Sequence, residues 1–346
     1  MAIGHRQKQK PPRSSTAKHK TRLVWVGAVS VLLAAATLWF VFSPMPAAWL
    51  IRLLFQNSAT VPPENYNEIQ ARVLTSKDVD YPSAYGRNTA DIYTPKGEEG
   101  PYPVVLWVHG GAFVGGDKRD VQVFATMLAA EGFGVVCINY LRAPEGNYPV
   151  PVIQTAEAYR WLSHIAGDYR LDTSRVVVAG DSAGAHVAAQ FAAAQTNSDF
   201  AAQLPAEIQT HTDGPKAVLL FCGPFDAAQL ANGGNAPMDF LIHRAAWAYF
   251  GTPDWVERFS GQITLLKHIT EAFPPSFISD GNTLSFEEQG RALADALLQM
   301  GVPVETFFIP VQEGKAMHEY QFAMNNAFAL EAFRKTVDFL QSCIKY

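Results

Sequence analysis

The feature that most restricts the fold of this chain is an alternation of apolar strand-like runs with helix-like segments, which begins at about residue 68. Successive strands separated by helices pair in parallel, and the helices cover both faces of the sheet. The predicted strands are 90–93, 104–109, 134–140, 175–180, 217–222, 276–279 and 304–309. The predicted helices are 120–131, 151–166, 183–195, 286–300 and 326–342. The sequence therefore predicts an α/β fold with a mostly parallel sheet, interrupted at 227–273 by an insertion that we expect to form a lid or a pocket wall.

Composition limits the size of the core and the kind of partner. A chain of 346 residues with 48% hydrophobic content supplies the core of one large domain. Residues 1–22 carry seven Lys and Arg and no Asp or Glu, yet the net charge of the chain is -5, so the remainder is strongly acidic. An acidic body argues against nucleic acid as a partner, because phosphate backbones require a basic surface. The three cysteines, an odd number, are expected to be free thiols.

The N-terminal region predicts a membrane anchor. Residues 23–43 contain no charged side chain, and twenty helical residues at about 1.5 Å each span a hydrocarbon core of about 30 Å. By the positive-inside rule the basic tail, 1–22, stays in the cytoplasm and the domain at 68–346 lies outside it. Residues 44–67 are expected to form a linker with an amphipathic stretch that rests on the bilayer or on the domain. The alternative is a secreted protein with a cleaved signal peptide, although the apolar stretch of such a peptide has only about 7 to 15 residues.

A candidate nucleophile lies where a predicted strand meets a predicted helix. Residues 176–184 read VVVAGDSAG, which places Ser182 in a G-x-S-x-G motif. In this context the glycines permit a tight backbone turn that projects the serine hydroxyl at the edge of the sheet. The N-terminus of the following helix favours the negative charge that develops there during acyl transfer. Ser182 is therefore the predicted nucleophile.

A second glycine motif, HGGAF at 109–113, follows an earlier predicted strand. Acyl transfer requires backbone N–H donors aimed at the tetrahedral oxyanion, and glycines let the backbone approach that atom closely. The N–H groups of Gly110, Gly111 and Ala183 are the candidate donors. We expect His109 to orient this loop rather than to act as a base.

The candidate base is identified by its position along the chain. In this architecture the triad order is Ser, acid, His, so the histidine lies well beyond Ser182. His318 alone follows the last predicted strand, in the loop ahead of the C-terminal helix, and is the predicted base. The other downstream histidines lie in the helix after the nucleophile, in a loop before the next strand or in the insertion: His186, His211, His243 and His268.

The acid that holds the base in its productive tautomer is the least determined member of the triad. It belongs in the loop after the strand that contains PPSFIS, where Asp280 is the first carboxylate. Glu287, further along the chain, and Asp226, at the end of the preceding strand, remain alternatives. Asp280 also fits a plain turn, because Asp-Gly and Gly-Asn pairs favour turns.

Five motifs occur in a fixed order, HGGAF, NYLRAPEGNYP, GDSAG, PPSFISDGN and MHEYQF. Over roughly residues 75–342 they resemble the α/β-hydrolase superfamily, and more narrowly its hormone-sensitive-lipase-like and feruloyl-esterase-like carboxylesterases. The resemblance implies an α/β-hydrolase fold of about eight strands, a small-molecule carboxylic ester as substrate, an acyl-enzyme intermediate, and neither cofactor nor metal. It also implies that Glu145 braces the glycine loop from a position outside the reacting atoms.

The chain departs from this family pattern at two points. Ala112 replaces the third glycine of HGGG, and the usual acid segment G-x-x-D-x-L reads GNTLSF. One alignment therefore puts Leu284 where the acid belongs, whereas a shorter strand leaves Asp280 as the acid. Two other functions stay open for the same fold, a catalytically inactive binding module at the membrane and a serine peptidase. The sequence predicts no oligomeric state.

Overall fold

The computed structural model describes residues 15–55, 60–97, 99–210, 213–231 and 237–344. The chain divides into two units, Met1–Pro46 and Ala47–Tyr346. The first unit contains helix α1 (Ser15–Phe42), and most of the predicted basic tail lies outside the described residues. Within α1, His19–Phe42 is a candidate membrane span of 24 residues with a mean hydropathy of 2.2. A signal sequence near the N-terminus can pass the same test of length and composition, so this helix is either a span or a signal.

The second unit is built on an eight-stranded sheet. Its strands are β1 (Val73–Asp80), β2 (Thr89–Pro95), β3 (Tyr102–Val108), β4 (Gly134–Ile138), β5 (Leu171–Asp181), β6 (Ala217–Phe221), β7 (Ser276–Asp280) and β8 (Val304–Phe308). Their order in the sheet is β1-β2-β4-β3-β5-β6-β7-β8. The β1–β2 and β2–β4 pairs are antiparallel, and all others are parallel. The predicted mostly parallel α/β sheet is therefore confirmed. Of these eight strands, only β1 was not predicted from the sequence. This edge strand leaves most of its side chains at least partly exposed and lacks an apolar run.

Helices cover both faces of the sheet. They are α2 (Met45–Phe55), α3 (Tyr66–Gln70), α4 (Gln122–Ala130), α5 (Val150–Tyr169), α6 (Ala183–Thr196), α7 (Ser198–Ala201), α8 (Pro237–Phe250), α9 (Trp255–Arg258), α10 (Glu287–Gln299) and α11 (Ala327–Ile344). Successive side chains of β3 point to opposite faces. Val104, Leu106 and Val108 join a cluster with α5 and α6, whereas Val105 and Trp107 join a second cluster with α4 and α11. Burial on both faces explains why this strand reads as a continuous apolar run.

The second unit begins earlier in the chain than the sequence analysis expected. Ala48 and Ile51 of α2 are buried in the cluster that also contains α5 and α6. The expected boundary at residue 68 therefore falls inside this unit. The predicted insertion, 227–273, contains α8 and α9 and buries Tyr249, Phe250 and Trp255 against the same cluster.

Candidate active site

Ser182 lies in a strained turn between β5 and α6. Its φ of 51° and ψ of -120° are unusual for a residue with a side chain. A Cβ on Gly180 would lie 2.4 Å from the Gly184 carbonyl carbon, and one on Gly184 would lie 2.0 Å from the Val108 carbonyl oxygen. Only glycine fits at both positions, so the motif lets β5 and α6 approach closely and presents the serine at the carboxyl edge of the sheet.

The structure brings His318 to Ser182. The Nε2 atom of His318 lies 2.9 Å from the Ser182 hydroxyl oxygen, although the two residues are far apart in the chain. Desolvation among its neighbours lowers the pKa of His318 to about 4, so the imidazole is neutral at pH 7 and Nε2 can accept a proton. Of the other downstream histidines, His211 lies outside the described residues. His186 is buried and its Nδ1 lies 2.8 Å from the Pro224 carbonyl oxygen.

Asp280 reaches the histidine through a residue that the sequence analysis did not single out. The Nδ1 atom of His318 lies 2.8 Å from the hydroxyl oxygen of Ser285, and that hydroxyl donates to Asp280 Oδ1. Asp280 is the last residue of β7 and is buried. Burial raises the pKa of Asp280 to about 6, and the hydrogen bond from Ser285 opposes that rise. The four residues therefore form one chain of hydrogen bonds, Ser182–His318–Ser285–Asp280. A hydroxyl one residue after the missing family acid was the available signal for Ser285.

The loops that carry Ser285 and His318 are fastened to each other. The side chain of Asn282 donates to the carbonyl oxygens of Ile309 and Gly314, at 3.0 and 2.8 Å, and accepts from the Ala316 N–H at 3.0 Å. The His318 N–H donates to the Thr283 carbonyl oxygen at 3.2 Å. These bonds fix the position of the imidazole relative to the end of β7. The Asp-Gly-Asn turn foreseen in the sequence thus ties two loops together.

The two alternative acids are engaged elsewhere. Asp226 accepts hydrogen bonds from Thr264 at 2.8 Å and Gln229 at 3.1 Å, within the insertion. Glu287 pairs with Arg291 one helical turn along α10, at 2.7 Å. Among the hydrogen bonds of the described residues, none joins either carboxylate to His318. The geometry therefore favours Asp280 over both.

The glycine loop shows which backbone donors are free. The Gly110 N–H donates to Asp181 Oδ2 at 2.8 Å, so this expected oxyanion donor already has a protein acceptor. Gly111 and Ala112 adopt φ values of 113° and 52°, so Ala112 holds a left-handed conformation that glycine adopts more readily. Ala183, the first residue of α6, places its N–H at a helix N-terminus, where no intrahelical acceptor exists. Gly111 and Ala183 remain the candidate donors.

Asp181 and Glu319 form a pair of carboxyl groups beneath this loop. Asp181 also accepts from Trp107 Nε1 at 2.7 Å, and a Cβ on Gly110 would lie 2.4 Å from Asp181 Oδ2 and 2.7 Å from Glu319 Oε1. Desolvation and the neighbouring Asp181 carboxyl raise the pKa of Glu319 well above its usual value. Glu319 therefore keeps its proton and shares it with Asp181, which ties the residue after His318 to the residue before Ser182.

We expect Glu319→Gln to become stabilising relative to wild type as pH rises. Folded Glu319 holds a proton that the unfolded chain releases near pH 4.5, so wild-type stability falls as pH increases above that value, until folded Glu319 itself ionises. Glutamine removes this loss, which amounts to at most about 1.4 kcal/mol per pH unit. The Tm difference between variant and wild type, measured at pH 5 and pH 8, should grow. Parallel curves would contradict the shared proton, and Glu313→Gln, at an exposed site in the same loop, is the matched control.

Two predicted supporting residues contact the loop in different ways. His109 is buried, its ring stacks on Tyr140 at 4.4 Å, and its Nδ1 lies 2.7 Å from the Gly110 carbonyl oxygen. Burial lowers the pKa of His109 to about 3, so it is a neutral hydrogen-bonding residue. Glu145 forms an ion pair with Arg52 of α2, and it is Arg52 Nε that donates to the Val114 carbonyl oxygen at 2.7 Å. Glu145 is thus connected to Val114, the residue after HGGAF, through Arg52, and its bracing role stays a prediction.

An apolar cavity of about 430 Å³ opens beside Ser182 and His318. Its walls come from α2, the glycine loop, the insertion and the two loops that carry the hydrogen-bonded chain. Most of the lining side chains are apolar: Ile51, Leu54, Leu230, Leu241, Ile242 and Phe286 among them. The cavity suits an apolar acyl or aryl group next to the serine hydroxyl.

One cluster in the described residues has donor atoms close enough to hold a metal. Single ligand atoms of Cys222, Asp280 and His318 lie within 4.8 Å of one another. Both ring nitrogens of His318 already have serine partners, and burial raises the pKa of the Cys222 thiol, which disfavours the thiolate that binds metals. The cluster is therefore poorly suited to an ion.

The sheet order, the strained serine turn and the hydrogen-bonded histidine define this chain as an α/β-hydrolase. Residues 90–297, more than half of the chain, match the family model described as BD-FAE. The chain belongs to the BD-FAE family.

Relatives and solved structures agree with this assignment. An esterase of Gibberella moniliformis is 25% identical over 259 residues, which cover 69% of this chain and 76% of the relative. Carboxylesterase NlhH of Mycobacterium tuberculosis is 29% identical over 227 residues, or 62% of this chain and 66% of the relative. The crystal structure of an inhibited esterase B from Lactobacillus rhamnosis shares the fold with a TM-score of 0.70 at 20% identity, over 93% of this chain and 96% of the other. The resemblance to carboxylesterases of the α/β-hydrolase superfamily is confirmed, and the chain is an ester-hydrolysing enzyme.

Proposed function

We propose that this chain hydrolyses small-molecule carboxylic esters through an acyl-enzyme on Ser182, with His318 as general base and acid. The observation that carries the proposal is the unbroken hydrogen-bonded chain from Ser182 through His318 and Ser285 to Asp280, beside an apolar cavity. A nucleophile within hydrogen-bonding distance of a base, which a third group orients, is the arrangement that activates a serine hydroxyl.

The reaction proceeds in two halves. The Ser182 oxygen attacks the ester carbonyl carbon while His318 Nε2 takes the hydroxyl proton. The tetrahedral intermediate collapses, the bond to the alcohol oxygen breaks, and His318 returns the proton to the departing alcohol. Water then attacks the acyl-enzyme with His318 again as base, which releases the carboxylic acid and restores Ser182.

The remaining residues orient groups and stabilise charge. The Ser285 hydroxyl accepts a hydrogen bond from His318 Nδ1–H and donates one to Asp280. The carboxylate therefore selects the tautomer that is protonated on Nδ1, which leaves Nε2 free to accept from Ser182. Asp280 is thus a positioning residue that acts through Ser285. The oxyanion receives the N–H of Ala183 and of Gly111, while Gly110 uses its N–H to hold the loop on Asp181.

A fluorophosphonate probe tests the proposal, because it phosphonylates only an activated serine. We expect the label on the peptide that contains Ser182. A folded chain that takes no label would instead identify a catalytically inactive binding module. Rates on p-nitrophenyl acetate and butyrate, set beside matched peptide amides, separate an esterase from a serine peptidase of the same fold.

We further propose that α1 remains attached as a membrane anchor, with the basic tail in the cytoplasm and the hydrolase unit outside it. The only charged side chains in the span His19–Phe42 are Lys20 and Arg22, which lie next to its N-terminal end, just after Lys18. Basic residues at one end of a span hold that end in the cytoplasm.

Peptides from residues 1–22 are therefore expected in mass spectra of the protein taken from the membrane fraction. The physical reason is that this apolar stretch is long enough to span the bilayer, whereas the apolar core of a cleaved signal peptide is shorter. A mature N-terminus near residue 47 would instead show a cleaved signal and a secreted enzyme. Protease treatment of intact cells checks the orientation, since the hydrolase unit should be digested and the tail protected.

A further inference from the structure

Apart from Arg52, helix α2 has apolar side chains all round its circumference. Ala47, Ala48 and Ile51 are buried against the hydrolase unit. The opposite side, here called the outer face of α2, consists of Trp49, Leu50, Leu53 and Leu54, which are 51%, 39%, 62% and 62% exposed. A surface helix of a soluble domain normally turns charged and polar side chains to water. The outer face of α2 has none.

The single charged side chain of α2, Arg52, does not lie on the outer face and does not make it polar. Arg52 forms an ion pair with Glu145 and donates to the carbonyl oxygens of Val114 and Ala143, each at 2.7 Å. These three contacts attach the guanidinium to the hydrolase unit, so Arg52 fixes the rotation of α2. That rotation turns the apolar outer face away from the unit.

The outer face continues into the mouth of the cavity beside Ser182. Leu54 belongs to both, since it lines the cavity and is also exposed. Two more lining residues are exposed at the mouth: Leu284 at 78% and Met317 at 50%. Leu284 holds a φ of 50°, a conformation that is costly for leucine and that presents its side chain to solvent. Exposed apolar side chains from three segments around one opening mark an interaction surface.

We propose that the outer face of α2 and the cavity mouth dock on the surface of a lipid bilayer, and that the substrate is a lipophilic ester drawn from that bilayer. This deepens the proposed ester hydrolysis and rests on it. The chain favours a bilayer over a protein as the occupant, because only Ser43 and Pro44 separate α2 from α1, the candidate span. Two residues cover at most about 7 Å, so a spanning α1 holds the start of α2 at the lipid surface.

A fluorescent label tests the docking directly. In the full chain with Cys343→Ser, the only cysteines left are Cys137 and Cys222, which are buried. An environment-sensitive dye on Leu53→Cys should shift to the blue and resist quenching by aqueous iodide after reconstitution into phosphatidylcholine vesicles. The same dye on Leu298→Cys is the matched control, because Leu298 is 53% exposed on α10 and does not line the cavity. Equal quenching at the two sites overturns the proposal.

Activity in the same vesicles separates docking from chemistry. The double variant Leu50→Gln/Leu53→Gln keeps the helix, since glutamine is a good helix former, and neither residue lines the cavity. We expect it to lose about tenfold in rate on a long-chain acylglycerol in the bilayer, equivalent to about 1.4 kcal/mol. Its rate on water-soluble p-nitrophenyl acetate should not change, and Leu298→Gln should match wild type on both substrates.

Each outcome has a distinct meaning. An unchanged rate on the bilayer ester overturns the docking surface and leaves the proposed ester hydrolysis standing. Equal losses on both substrates overturn it too, because α2 would then serve only the stability of the site. If the label is shielded only when two copies associate, as single-molecule mass measurement of the protein in nanodiscs would show, the occupant is a second copy and the bilayer proposal fails. A wild-type chain inactive on p-nitrophenyl acetate refutes the ester hydrolysis itself.

Discussion

Replacing Ser182 with alanine is expected to lower kcat on p-nitrophenyl esters by about 10⁶-fold, because the nucleophile and its base act as one unit. His318→Ala should be comparably severe, since without Nε2 nothing takes the hydroxyl proton. The fold should persist in both variants. Ser182 sits at a turn where loss of a hydroxyl removes no apolar contact, and thermal unfolding checks this directly.

Matched variants make this result interpretable. Ser163→Ala and His164→Ala change an exposed serine and an exposed histidine on α5 and should leave kcat at the wild-type value. A Ser182→Ala protein that keeps more than about one percent of the rate would contradict the assignment. Rescue of His318→Ala by another histidine of the chain would show that its position after the last strand was the wrong criterion.

The second large effect is expected at Asp280. Asp280→Asn should lower kcat by about 10⁴-fold near neutral pH, because the amide no longer selects the tautomer that leaves Nε2 free to accept the Ser182 proton. KM should hardly change, since Asp280 is buried behind Ser285 and does not line the cavity. Asp226→Asn and Glu287→Gln are the matched carboxylate controls and should stay within about tenfold of wild type.

Ser285 distinguishes a hydroxyl relay from a direct acid contact. Ser285→Ala breaks the link between Asp280 and His318, so it should lower kcat at constant KM by at least about 10- to 100-fold, which corresponds to a lost hydrogen bond to a charged group, about 1.5–3 kcal/mol. Ser285→Thr keeps the hydroxyl and should restore the rate. Since burial raises the pKa of Asp280 to about 6, wild-type kcat should also fall as pH drops through that value, and Ser285→Ala should weaken this limb. If Asp226→Asn proves the crippling substitution instead, the acid lies on the preceding strand.

Much of the fold was accessible from sequence because its strands are buried on both faces. Val104–Val108 lies between two clusters of helices and so reads as an uninterrupted apolar run. The edge strand Val73–Asp80 was missed for the opposite reason, since it has few buried side chains to form a pattern. The sequence also did not predict that the second unit begins before α2. That helix is held in place by the packing of Ile51 and by the ion pair of Arg52 with Glu145, which lies far along the chain from it.

The site divides in the same way. The sequence by itself determined the strand–turn–helix serine, since at Gly180 any Cβ would collide with Gly184 and Ala185, which are close neighbours in the chain. It also placed His318 by the order of the elements. Only the tertiary structure decided that Asp280 is hydrogen-bonded to His318 through Ser285 and that the Gly110 N–H is occupied by Asp181. These partners meet because loops that are separate in the chain converge at one edge of the sheet. Their hydrogen bonds therefore depend on tertiary packing rather than on local sequence.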